Sequence, residues 1–293
     1  MDITASMVKE LRDKTGAGMM DAKKALVEAN GDMEKAGELL RQKGIASADK
    51  KMSRIAAEGL VSSVVEDKAG AMVEVNCETD FVAKNDDFKA LVDEIAKTVL
   101  ANNPADVAAL GTSKTSKGTV VEDYIKEAIA KIGEKITIRR FVRYSGGGCV
   151  NTYIHNGKIG VLLETECLGG CGGDGSLARD ICLHIASNAP EFVSRAQIPQ
   201  SVIEEETRIE MGKEDLANKP EEIRIKIVEG RVNKLMAQKC LLEQPFVKNP
   251  DVTIEKLIEG KAKIVRFARY VLGEGLEKRE ENFADEVMNQ IKG

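Results

Sequence analysis

Through residues 1–45 the apolar positions return every three or four residues in three short runs, as on amphipathic helices. Ile3, Met7, Val8 and Leu11 form the first behind Thr4 as a candidate N-cap, and the second runs from about Met20 through Ala25, Leu26 and Ala29. Asn30-Gly31 ends that helix, and Asp32 can cap a third that carries Met33, Ala36, Leu39 and Leu40. So small a bundle is marginal alone, and the Ala- and Lys-rich stretch IASADKKMSRIAAEG reads as a linker to a larger body. From residue 58 the period changes to two: GLVSSVVED and AGAMVEVNC are Val-rich strands split by a turn at Asp67-Lys68. Helical spacing returns at Phe88, Leu91, Val92, Ile95 and Val99 and stops before Asn102-Asn103-Pro104. A further helix is expected over 121–134 and a strand over 136–143.

The pattern then repeats. GAMVEVNC (70–77) over GVLLETEC (160–167) matches a Gly start, alternating apolar positions, an acid at Glu74 and Glu164, and a closing Cys. Downstream, DEIAKTVLANNP (93–104) lies over RDICLHIASNAP (179–190) at nearly the same separation. Two copies of a strand–strand–loop–helix unit predict an α+β core of two related subdomains rather than a solenoid, which needs at least three repeats.

Residues 200–236 interrupt this core. Ser201 and Glu204 have capping-box spacing, and Val202, Ile209 and Leu216 follow at sevens. After Asn218-Lys219-Pro220, Ile225, Val228, Val232 and Leu235 alternate by three and four, so the segment reads as an inserted antiparallel coiled-coil hairpin with arms of about 25 Å. Strand character is expected over 252–275 and a terminal helical stretch from Glu277. The expected division is an N-terminal module with linker (1–54), one core subdomain (55–145), a second (146–190 and 236–275), the hairpin (191–235) and a C-terminal module (276–293).

Composition narrows the chemistry. With 43% hydrophobic and 31% charged residues, no stretch approaches the ~18 uninterrupted apolar residues of a membrane span. The N-terminus lacks an apolar signal core, so a cytoplasmic protein is expected. A net charge of −5 argues against direct nucleic-acid binding, which needs a concentrated basic surface. The six cysteines are scattered, and reduced thiols are the default in that compartment. GTSKTSKGT (111–119) lacks the spacing of a phosphate-cradling loop, and GGG at 146–148 reads as a strand connection. Cys167, Cys171, Cys182 and His184 can be drawn as a zinc set, but the first spacing is wrong and the last pair falls on a helix that needs a buried face. His155 and His184 are the whole histidine supply, and neither stands near a nucleophile motif, so no catalytic residue and no metal or cofactor site is expected.

One residue resists a purely structural reading. In NCETDFVAKND (76–86) a large aromatic, Phe81, sits among charges and amides directly after a strand. Phe81 either folds back toward Phe88 or Val82, or stands out from a loop at the rim of the sheet as an anchor for another protein. The second copy of the repeat has LGGCGGDGS there, so the fold itself does not demand an aromatic.

CETDFVAKND, ELRDKTGAGMMDAKKAL near the N-terminus, HNGKIGVL (155–162), QPFV (244–247) and GEGLEKREENFADEV (273–287) together resemble the bacterial elongation factor Ts family, in order and over nearly the whole chain. The resemblance implies a UBA-like three-helix module, two related core subdomains, a coiled-coil insertion and a C-terminal helical module. It implies a guanine nucleotide exchange factor that is no enzyme and that acts on the GTPase elongation factor Tu in translation elongation. By the same resemblance, Arg12, Met19 and Met20 would meet a helix of the GTPase nucleotide domain. Thr79, Asp80, Phe81 and Val82 would wedge near its magnesium and phosphate site. Ile159, Gly160 and His184 would be core positions facing the partner, and Val247 would touch its third domain. The hairpin's spacing suits a homodimer, a 2:2 complex with the partner, or packing against the partner's body.

Overall fold

The computed structural model describes residues 3–51, 53–167 and 175–277, with the backbone alone at 45–50 and 167. It is an α+β protein that opens with three helices, α1 (Ala5–Thr15), α2 (Met19–Glu28) and α3 (Met33–Lys51). Thr4 caps α1 by accepting from the Met7 N–H at 3.3 Å, and Asp32 accepts from the N–H groups of Glu34 and Lys35 at 3.1 Å. Val8, Leu11, Ala22, Ala25, Leu26 and Ala36 close the core of this bundle. α3 runs on through much of the stretch read as a linker, because no Gly or Pro interrupts the good helix formers between Gly44 and Gly59. It packs on a later helix, where Arg41 pairs with Glu127 at 3.1 Å.

The first half of the core is β1 (Glu58–Glu66), β2 (Ala69–Cys77), α4 (Asp80–Lys84), α5 (Asp86–Asn102), α6 (Val107–Thr112), α7 (Val121–Ile132) and β3 (Thr137–Tyr144). Its strands form an antiparallel sheet in the order β1-β2-β3. The second half has β4 (Cys149–His155), β5 (Ile159–Cys167) and α8 (Ser176–Asn188), followed by α9 (Gln200–Met211) and α10 (Glu221–Lys239). It ends with β6 (Pro245–Phe246), β7 (Asn249–Thr253), α11 (Ile254–Ile258) and β8 (Ala262–Val271). Its main sheet is antiparallel in the order β4-β5-β8, and β6 pairs with β7.

The two halves repeat in detail. One face of β2 (Ala71, Val73, Val75, Cys77) packs under α5, and the matching face of β5 (Val161, Leu163) packs under α8. The opposite faces meet each other across Val61, Met72, Tyr144, Val150 and Leu162, so the helices form the outer layers and the sheets the inner ones. At Gly70 and Gly160, the Gly starts of the repeat, the facing sheet leaves no room for a side chain. A Cβ on Gly70 would lie 2.6 Å from Val150 Cγ1, and one on Gly160 would lie 2.5 Å from Val61 Cγ1.

The acids of the repeat pair with arginines of the neighbouring strand in their own sheets. Glu74 accepts from Arg139 at 2.9 Å and Arg140 at 2.6 Å, while Glu164 accepts from Arg266 at 2.6 Å. Arg140 lies over the Tyr270 ring and Arg266 over the Tyr144 ring, each 4.2 Å from the centroid. Each half therefore lends its arginine to the other half's tyrosine. Bulges at Glu74/Val75 and Glu164/Thr165 turn the strands at matching positions.

Several expectations need correction. Helix α9 starts at Gln200 behind Pro199, so Ser201 is already helical and no capping box forms. Ile209 is exposed and Leu216 lies beyond α9 at the end of a 3₁₀ turn, so the sevenfold spacing does not run along one helix; Leu216 is buried all the same, in one cluster with Val228, Val232 and Met236 of α10 and with Val202 packed against it. The strand expected over 252–275 is divided, because the Thr253 hydroxyl accepts from the Lys256 N–H and starts α11. Cys149 is disulfide-bonded, against the expectation of reduced thiols. It stands opposite Thr165 of β5. Cys77, Cys182 and Cys240 are free and buried. The terminal helical stretch, from 278 onward, lies outside the described residues, as do Cys171 and the rest of 168–174. Among the described residues no helix is long and apolar enough to cross a membrane.

Candidate functional site

Strand β2 ends at Cys77, and the chain turns at once into α4. Thr79 starts that helix, its hydroxyl accepting from the Val82 N–H at 3.3 Å. One residue further on the helix, Asp80 accepts from Lys84 at 2.6 Å. That hydrogen bond holds the Asp80 carboxyl below its ordinary value, against an opposing effect of desolvation, with the charges of Lys84 and Lys158 adding to it. Ala83 is buried and Val82 packs partly into the core, so α4 has an inner face. Phe81 is on the other face and 79% exposed, with Lys84 Nζ 5.8 Å from its ring centroid. Phe88, toward which it could have folded, is fully buried without it.

α4 packs against β1, and the charge of Lys158, in the turn between β4 and β5, favours the Asp80 carboxylate. The turn is tied to β1 by the Val61 N–H, which donates to the Gly157 carbonyl at 2.8 Å. Ile159 is half-buried at its base and Gly160 is buried between the sheets. The structure thus brings Asp80, Phe81 and the 155–160 segment to one end of the core.

His184 is fully buried in α8. Its Nδ1 accepts from the Val247 N–H at 3.2 Å, so Nε2 carries the proton and donates to Gln244 Oε1 at 2.8 Å. The Gln244 amide in turn donates to the Gln238 carbonyl at 2.6 Å. His184 therefore organises the QPFV segment from beneath, leaving Val247 38% exposed. Burial pushes the imidazole below its usual value of 6.5, with the Gln244 hydrogen bond opposing. A neutral folded His184 and a normal one in the unfolded chain mean that the unfolded state takes up more protons below pH about 6.5, so stability falls as pH drops through that value. Urea midpoints are expected to decline from pH 7.5 to 5.5, and a His184→Asn variant, which keeps an acceptor for Val247, is expected to flatten the decline. An equal slope in the variant would assign it to another group.

Met19 and Met20 are exposed at the start of α2. Arg12 lies on α1 with its guanidinium on Asp13 at 2.6 Å. All three belong to the N-terminal bundle and not to the core that carries α4. Val27, one face along α2 from Met20, is also exposed, as are Ile209, Ile223 and Ile225 on the hairpin. Ile209 and Ile225 were expected on the hairpin's seam rather than exposed, and Val27 and Ile223 carried no expectation, although Val27 interrupts the small-residue pattern of Ala22, Ala25 and Ala29. Among the described residues no group of three His, Cys, Asp or Glu could hold a metal ion. Of the drawn zinc set, Cys182 is a buried thiol pushed up to about 12 by desolvation.

Comparison with known proteins agrees over the same stretch. A family model described as Elongation factor TS matches residues 78–274. An Elongation factor Ts from Thioalkalivibrio sulfidiphilus is 51% identical over 298 residues, covering 100% of both chains. One from Alkalilimnicola ehrlichii is 49% identical over 297 residues, again over 100% of both.

Proposed function

The chain belongs to the elongation factor Ts family, and from that premise we propose that it is a guanine nucleotide exchange factor for elongation factor Tu in translation elongation. It makes and breaks no covalent bond and uses no cofactor of its own. A protein that grips the emptied GTPase more firmly than the GDP-bound form weakens GDP binding by the same factor, and opens a route for release through a ternary complex. Phe81 enters between partner helices beside the switch region, and the resulting shift spoils magnesium coordination and the hydrogen bonds of the phosphate loop.

One observation carries this reading. An aromatic ring left 79% exposed, on a helix whose other face is packed into the core, is a preformed anchor. Thr79, Asp80 and Val82 set that helix, with Ile159 and Gly160 shaping the turn beside it. Arg12, Met19 and Met20 supply a second contact from the N-terminal bundle. Val247, held from below by His184, supplies a third.

The test is a chase of labelled GDP from elongation factor Tu. Release is expected to accelerate in the presence of this protein. A complex that forms but leaves the GDP off-rate unchanged would make the molecule a scaffold and overturn the reading.

A further inference from the structure

Resting on that reading, we infer that Glu134, far from α4 in sequence, is the positioning residue that holds Phe81 in its presented orientation. α4 has only five residues, too few to be stable as a helix by itself, so the direction of Phe81 depends on what fixes the turn before it. Glu134 does so with both carboxylate oxygens. Oε2 accepts from the N–H groups of Glu78 and Thr79 at 3.1 and 3.0 Å, and Oε1 accepts from the Thr79 hydroxyl at 2.7 Å. That hydroxyl accepts in turn from the Val82 N–H at 3.3 Å, so a continuous line of hydrogen bonds brackets Phe81.

The tie is reciprocal. Glu78 Oε1 accepts from the Lys135 N–H at 2.6 Å, so the turn before α4 and the turn after α7 exchange carboxylates. The buried Cys77 thiol adds a bond to the Thr79 carbonyl at 3.1 Å. Phe81 itself has no such support, its ring being solvent-facing apart from Lys84. A ring that is fixed before binding loses less freedom on docking, which is how a residue that never touches the partner can set the strength of the anchor.

Two measurements test this. The chain has no Trp, so Phe81→Trp supplies a single indole whose fluorescence anisotropy reads local order at that position. Adding Glu134→Ala is expected to lower that anisotropy, while Glu134→Gln is expected to leave it near the parent value. Gln keeps an oxygen for the two backbone N–H groups and an amide to donate to the Thr79 hydroxyl oxygen. Unchanged anisotropy in the Ala variant overturns the inference.

The second measurement is a double-mutant cycle on stimulated GDP release. Glu134→Ala alone is expected to cost about fivefold, and to cost less than about twofold when Phe81 is already alanine. An equal loss in both backgrounds means that Glu134 acts by another route and overturns the inference. Phe81→Ala without effect on release, together with a fall in anisotropy, would instead leave the positioning intact and overturn the exchange reading of Phe81.

Discussion

Replacing Phe81 by alanine is expected to slow stimulated GDP release from elongation factor Tu about tenfold or more while leaving the fold as it was. Burying a Phe in a partner pocket stabilises a complex by roughly 1.5–3 kcal/mol, and truncating an anchor of this kind costs ~2 kcal/mol or more. The folded protein alone does not draw on that energy, because the ring is 79% exposed. Phe88 supplies the contrast: it is fully buried under the first sheet, and its truncation costs about 3–5 kcal/mol of stability. Phe81→Ala should therefore unfold at the parent's urea midpoint and fail in exchange. A variant that stimulates release as well as the parent would remove the wedge from the mechanism.

The N-terminal bundle could be read from sequence because its signals are local. Thr4, Asn30-Gly31 and Asp32 act within a turn or two of themselves, and they sit where the spacing put them. The repeat was legible for the same reason, as an alternation in β2 and β5. What it was for was not. Gly70 and Gly160 look like turn residues in a string of letters, and only the opposing sheet shows that a Cβ there has no room. The aromatic and cationic exchange between halves depends on β3 lying across from β8, a long-range pairing with no short-range mark.

For Phe81 the sequence left two readings open, since an aromatic four residues past a strand can fold inward or outward. The outcome depended on whether Phe88 and Ala83 already filled the core beneath it, and they do. Glu134 was invisible at that stage because its partners lie more than fifty residues away in the chain. Gly160 and His184 were assigned toward the partner by resemblance, and burial places both beneath the surface they shape.

The seam between the halves yields the second large effect. Glu74 is fully buried, and its two oxygens take hydrogen bonds from Arg139, Arg140 and the Gly273 N–H, the last at 2.8 Å. Glu74→Ala takes the acceptor from these three donors and from the Asn76 amide in a place where water has little access, and breaking a buried pair in this way costs about 3 kcal/mol or more. Glu164 is the matching acid, bonded to Arg266 and to the Gly146 N–H at 2.7 Å. Its arginine is the more exposed, at 48% against 23% for Arg139 and 30% for Arg140, so it can rehydrate when the acid is removed. Glu164→Ala is therefore expected to destabilise less than Glu74→Ala in urea unfolding, despite the near-symmetry of the sites.

Acid gives an independent check. Burial pushes the Glu74 carboxyl up, but the Gly273 N–H and the two arginines outweigh it and leave it below its ordinary 4.5. The stabilisation from this group is thus complete above that pH and is lost as pH falls through the lowered folded value. The Glu74→Ala variant should lack that part of the acid limb while keeping the decline near pH about 6.5 that belongs to His184. If the two alanine variants prove equally stable, or if the order is reversed, the seam is not held by its buried charge but by the apolar contacts around Met72 and Leu162.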